Sequence, residues 1–138
     1  MTEAAARSTA WEWLGMKLLE EGEGIATVEM VAQEQMVNHS GFLHGGLIST
    51  LADSAMGRSV RTIKPRVLRA MSFDLKLNFI AAAKIGETLR ATGKVVHAGR
   101  RTCVTECRVE GAEGRLIATA SGTFMVSRED KDLRKDAD

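Results

Sequence analysis

One segment of this chain, from about Gly45 to Val60, repeats its apolar residues with the period of a helix, while the stretches after it repeat with period two. Leu47, Ile48, Leu51, Ala52 and Ala55 fall on one side of such a helix and read as a core face. The other side carries Gly46, Ser49, Asp53 and Gly57, small or polar residues that permit close approach by a partner backbone or a ligand. After Pro65, Phe73-Asp74-Leu75-Lys76-Leu77-Asn78-Phe79 alternates strictly, as a half-buried strand does. Three more extended stretches follow, about Thr88–His97, Arg101–Val109 and Arg115–Ser127. Gly99 separates the first two and Gly111-Ala112-Glu113-Gly114 the last two, both as tight antiparallel turns. Ahead of the helix, Met16–Glu20 and Ile25–Ala32 flank Glu21-Gly22-Glu23-Gly24, a hairpin turn. A strand pair, one long helix and four strands predict an α+β fold with an antiparallel sheet packed on a single helix.

A chain of 138 residues fits one domain. Residues 1–14 read as an N-terminal segment able to form a short helix, and 15–127 as the domain. From Arg128 onward the chain is almost wholly charged and reads as a frayed tail. The net charge is +1 with both signs interspersed, so no basic stripe points to nucleic acid. No apolar run approaches the ~20 residues of a membrane span. Met1–Ala10 lacks the apolar core of a signal peptide, which predicts a cytoplasmic protein. Cys103 and Cys107 lie four residues apart in a strand, about 13 Å, too far for a mutual disulfide. With no CxxC and no Cys/His cluster, a metal site is not expected. The methionines read as core filler.

Chemistry concentrates at the mouth of the helix, in Asn38-His39-Ser40-Gly41-Phe42-Leu43-His44-Gly45-Gly46, with Asp53 nine residues beyond His44. Nine helical residues advance half a turn net and roughly 13 Å along the axis. His44 and Asp53 therefore lie on opposite sides of the helix at different heights, and one subunit does not bring both to one reaction centre. Each residue also has a plainer reading. Asp53 can be a solvated helix residue, His44 an N-terminal cap, and Asn38 with Gly41 a turn.

The pattern Asn38-x-x-Gly41-x-x-His44-Gly45-Gly46-x6-Asp53 resembles the signature of hotdog-fold acyl-CoA thioesterases, in the phenylacetic-acid-pathway and acyl-CoA thioesterase 13-like branch. The resemblance spans roughly 15–127. It implies a hotdog fold, an antiparallel sheet wrapped around one long central helix, with acyl-CoA as substrate and no cofactor. It also implies a homodimer or homotetramer, in which Asp53 of one subunit approaches the helix N-terminus of its neighbour. Within it, free N–H groups and the dipole at the helix start stabilise an oxyanion, with Gly45 and Asn38 as donors. Asp53 acts as general base or nucleophile, and His44 orients neighbouring groups or the thioester. Ser72 matches an assisting Ser or Thr on the following strand. Gly46, Arg100 and Arg101 are candidate substrate contacts, the arginines at the entrance for CoA phosphates, with Lys64, Arg66 and Arg128 behind them. The competing readings are a non-catalytic acyl-CoA-binding module and a hotdog-fold dehydratase or hydratase.

Overall fold

Residues 8–128 are described in a computed structural model. Helix α1 (Thr9–Leu14) opens on Ser8, whose Oγ accepts the Trp11 N–H at 3.3 Å, and closes on Gly15 in the left-handed conformation. The short N-terminal helix is thus present over 9–14; the earlier part of that expectation lies outside the described residues. A hairpin follows, β1 (Lys17–Gly22) and β2 (Ile25–Val31), turning through Glu23 and Gly24 at positive φ. Helix α2 runs Gly45–Val60, the bounds set by its apolar period. Strands β3 (Val67–Phe79), β4 (Thr88–Ala98), β5 (Thr102–Glu110) and β6 (Leu116–Arg128) complete one antiparallel sheet in the order β1-β2-β4-β5-β6-β3.

The sheet curls around α2, whose Ile48, Leu51, Ala52, Ala55 and Met56 are buried against Val28, Met30, Leu89, Val109 and Ile117 of the strands. Each large side chain so enclosed contributes roughly 1.5–3 kcal/mol. The helix lies directly on β4 at Gly93. A Cβ there would stand 2.6 Å from the Ala55 carbonyl and 2.7 Å from the Met56 nitrogen, so glycine is a spacer of zero thickness between helix and strand.

The structure departs from the sequence reading at three places. Strand β3 begins at Val67, well before the alternating run, and a register shift between Ser72 and Asp74 makes Phe73 a bulge. An extra residue reverses the parity of a strand. Ala70 and Ser72 lie on the helix side before the bulge, and Leu77 and Phe79 after it. Because β3 is an edge strand, Met71, Phe73, Leu75 and Phe79 are exposed in the single chain instead of half-buried. Secondly, Met16, Met30, Met36 and Met56 fill the core, but Met71 and Met125 are register partners exposed to 74% and 60%. Thirdly, Arg128 is the last residue of β6 and is buried. Its guanidinium donates to the carbonyls of Pro65 (2.7 Å), Gly99 (2.8 Å) and Arg100 (3.2 Å), clamping two loops to the strand end. A side chain with three backbone acceptors belongs to the domain and not to a tail.

Candidate active site

The loop before α2 is organised by Asn38. Its Oδ1 accepts the N–H groups of Ser40 (2.9 Å) and Phe42 (3.2 Å), and its backbone N–H donates to the Phe42 carbonyl at 2.7 Å. Gly41, at φ +81, supplies the left-handed turn this needs. The turn role and the donor role of Asn38 are therefore compatible. The oxygen holds the loop, and Nδ2 has no partner among the described residues.

His44 is the N-cap of α2. Its Nδ1 accepts the Gly46 N–H at 3.0 Å, which assigns the proton of a neutral ring to Nε2. The Gly46 N–H is consumed by this bond. Leu47 and Ile48 donate to the His44 carbonyl, which leaves the Gly45 N–H without a partner among the described residues. The ring of Phe79 packs on Gly45 so closely that a Cβ would meet it at 3.2 Å. The helix start thus gathers three unspent donors, Gly45 N–H, Asn38 Nδ2 and His44 Nε2–H, at the positive end of the dipole. Such a constellation suits an anion or a developing oxyanion.

Asp53 is elsewhere. It lies eight residues into α2, roughly 12 Å along the axis from Gly45. It lines a groove of about 800 Å³ together with Ser72, Gly57, Phe124, Trp11 and Met16. The bulge at Phe73 follows directly on Ser72. Asp53 Oδ1 is buried and has no hydrogen-bond partner among the described residues. A buried carboxylate oxygen left unpaired costs free energy that a stable fold does not need, and such atoms concentrate where chemistry is done. Asn38 lies in the loop that leads to His44 and Gly45 at the start of α2. Asp53 and Ser72 line one groove roughly 12 Å further along the helix, so the two groups stand apart within one chain. The groove walls Trp11, Met16 and Phe124 were not anticipated from sequence. Their signals were ordinary ones, an aromatic in a short helix and apolar residues in strands.

Arg100 and Arg101 are exposed on the β4–β5 turn. Arg100 shares a pocket of about 510 Å³ with Lys64, Pro65 and the buried Arg128. Both cysteines are free and buried. Burial pushes the Cys107 thiol up to about 12, and it raises Cys103 too, with Arg128 pulling the other way. Neither is a thiolate nucleophile. Among the described residues no three His, Cys, Asp or Glu side chains gather as metal ligands, and no helix is long and apolar enough to cross a membrane.

One antiparallel sheet wrapped on a central helix, with donors at the helix start and a carboxylate two turns in, is the hotdog fold of the thioesterases. The thioesterase superfamily model matches residues 40–118, and the chain belongs to that family. A protein of Archaeoglobus fulgidus is 33% identical over 120 residues, covering 87% of this chain and 76% of its own. Acyl-coenzyme A thioesterase PaaI of Escherichia coli is 29% identical over 109 residues, covering 79% of this chain and 76% of its own. The solved structure of E. coli PaaI superposes with a TM-score of 0.84 at 26% identity, over 91% of this chain and 88% of PaaI. A Streptococcus pneumoniae thioesterase protein solved with coenzyme A superposes at 0.76 and 27% identity, over 83% of this chain and 87% of that one.

Proposed function

We propose that this protein is an acyl-CoA thioesterase whose reaction centre is shared between two subunits. The observation that carries the reading is the unpartnered Asp53 Oδ1 in a groove open beside an unpaired edge strand. Strand β3 is thirteen residues long and exposes Met71, Phe73 and Leu75, an edge that natural proteins cover. A two-fold copy pairing along β3 brings the helix start of the partner subunit toward Asp53. The thioester carbonyl then receives hydrogen bonds from Gly45 N–H and Asn38 Nδ2 of one subunit. The other subunit supplies Asp53, with Ser72 beside it. As general base, Asp53 takes a proton from water while the oxygen attacks the carbonyl carbon. Collapse of the oxyanion expels CoA as its thiol and leaves the free acid. As nucleophile, an Asp53 oxygen adds to the carbonyl carbon and the C–S bond breaks, releasing CoA as its thiolate and leaving an acyl anhydride; water then opens the anhydride to the free acid and the Asp53 carboxylate. The relatedness to PaaI and the CoA bound to the S. pneumoniae protein support acyl-CoA as the substrate class. Lys64 and Arg100 are suited to its phosphates.

The test is release of free CoA from a panel of acyl-CoAs by wild type and Asp53→Ala. Loss of general-base or nucleophilic function lowers kcat by ~10²–10⁴. A variant with full activity would refute the role of Asp53. Wild type that binds acyl-CoA tightly without releasing CoA would favour a binding module.

A further inference from the structure

One turn beyond Asp53 the groove is floored by Gly57, and nothing in the backbone requires a glycine there. It lies in the interior of α2 with helical geometry, and a Cβ would touch only the Phe124 ring at 3.5 Å, an ordinary contact. Glycine inside a helix costs about 0.5–1 kcal/mol relative to alanine. Gly93 offsets such a cost with a helix–strand contact that admits no side chain; Gly57 has no such contact. What its missing side chain provides is space. Trp11, Met16, Met71 and Phe124 line the groove with it. Four residues place Gly57 about 6 Å along the axis from Asp53 in the same groove, within reach of the body of an acyl group whose carbonyl carbon is at the carboxylate. Aromatic and methionine walls pack well on flat or irregular apolar groups.

Resting on the thioesterase reading above, we propose that Gly57 sets the acyl specificity of the site. Its bare backbone makes room, between Trp11 and Phe124, for an acyl group that carries a ring or a branch close to the thioester carbonyl. A slim linear chain does not need that room. An alanine fills part of it and a leucine most of it.

The experiment compares wild type, Gly57→Ala and Gly57→Leu on butyryl-, 3-methylbutanoyl- and benzoyl-CoA, by CoA release. In parallel, affinities for S-butyl-CoA and S-benzyl-CoA, thioethers that cannot be hydrolysed, are measured by calorimetry. Wild type is expected to process the branched and ring substrates at least as well as butyryl-CoA. Each added group should lower kcat/KM for the bulky substrates relative to butyryl-CoA by about tenfold or more, the discrimination a pocket exerts on small changes of size. Affinity for S-benzyl-CoA should fall in step, and Gly57→Ala should melt at or above the wild-type temperature. Equal effects on all acyl groups, or none, would overturn the assignment. So would a change of subunit number in Gly57→Ala by sedimentation, because the glycine would then serve helix packing between chains. If wild type hydrolyses nothing while the variants still discriminate the thioethers, the hydrolase reading fails and the groove assignment stands.

Discussion

Replacing Gly93 by alanine tests whether α2 truly rests on bare strand backbone. The added Cβ would stand 2.6 Å from the Ala55 carbonyl carbon and oxygen, where ordinary contact begins at 3.4 Å. The obstacles are main-chain atoms of a buried helix, so no side chain can swing aside. Helix and strand must separate by about 0.8 Å (3.4 − 2.6) at this point. Overpacking of this kind costs roughly 1–3 kcal/mol, which for a domain of this size lowers Tm by about 4–12 °C. Thermal and urea unfolding followed by circular dichroism report it, with the urea midpoint falling and the m-value unchanged. The displaced residues lie two and three positions beyond Asp53, so CoA release should fall by up to ~10² as the carboxylate moves, even where the variant remains folded. Gly57→Ala, within α2 itself, is the control for the melting and urea measurements alone, since its Cβ meets only an aromatic ring. A Gly93→Ala protein that melts within one degree of wild type would refute the zero-spacer geometry.

Two further perturbations address separate parts of the molecule. Glu87 accepts from the Lys84 and Ala112 N–H groups at 3.1 and 3.0 Å and from the Arg115 guanidinium at 2.8 Å, stapling the β3–β4 connection to the β5–β6 turn. Burial raises its carboxyl, but the two backbone bonds and Arg115 outweigh that and hold it below the ordinary glutamate value. Glu87→Gln should cost about 1–3 kcal/mol at neutral pH. Because the folded value is depressed, that difference is present above the unfolded glutamate range and is lost as pH falls through the folded value, so wild type and variant should converge in acid melts. A gap that widens in acid would contradict this sign. Asn38→Ala removes both the loop tie and the proposed oxyanion donor, and should lower kcat by ~10²–10³. Asn38→Asp keeps the loop acceptor and lacks the donor, so near-normal turnover in that variant would remove Asn38 from the chemistry.

Much of this was legible because the helix announces itself. His44 at the cap, the glycine pair and the apolar positions through Val60 mark both ends of α2 by local rules of capping and periodicity. The half-turn offset between His44 and Asp53 likewise follows from helical geometry alone, and it separates the donors from the carboxylate. Features that depend on register were not legible. The bulge at Phe73 leaves Ala70 and Ser72 on the helix side with the later Leu77 and Phe79, but nothing in Ala70-Met71-Ser72-Phe73 marks an inserted residue. The Glu87–Arg115 staple joins residues far apart in sequence, and the Gly93 contact requires knowing which strand lies under the helix. Arg128 opens a run of charges and reads as tail by composition. Only the loops converging on the end of β6 reveal three carbonyls waiting for its guanidinium. Trp11 became a wall of the groove for the same reason, since where α1 sits relative to the groove is set by tertiary packing.

The shared reaction centre is tested most directly by mixing inactive subunits. Asp53→Ala and Asn38→Ala proteins, each impaired alone, are combined under conditions where native mass spectrometry confirms exchange, and CoA release is measured. In a two-fold dimer half of the re-formed molecules are hybrids, each with one intact composite site, so activity should recover to about a quarter of wild type. Exchange without recovery would mean that Asp53 and Asn38 act within one chain or not at all, and would contradict a site built from two subunits.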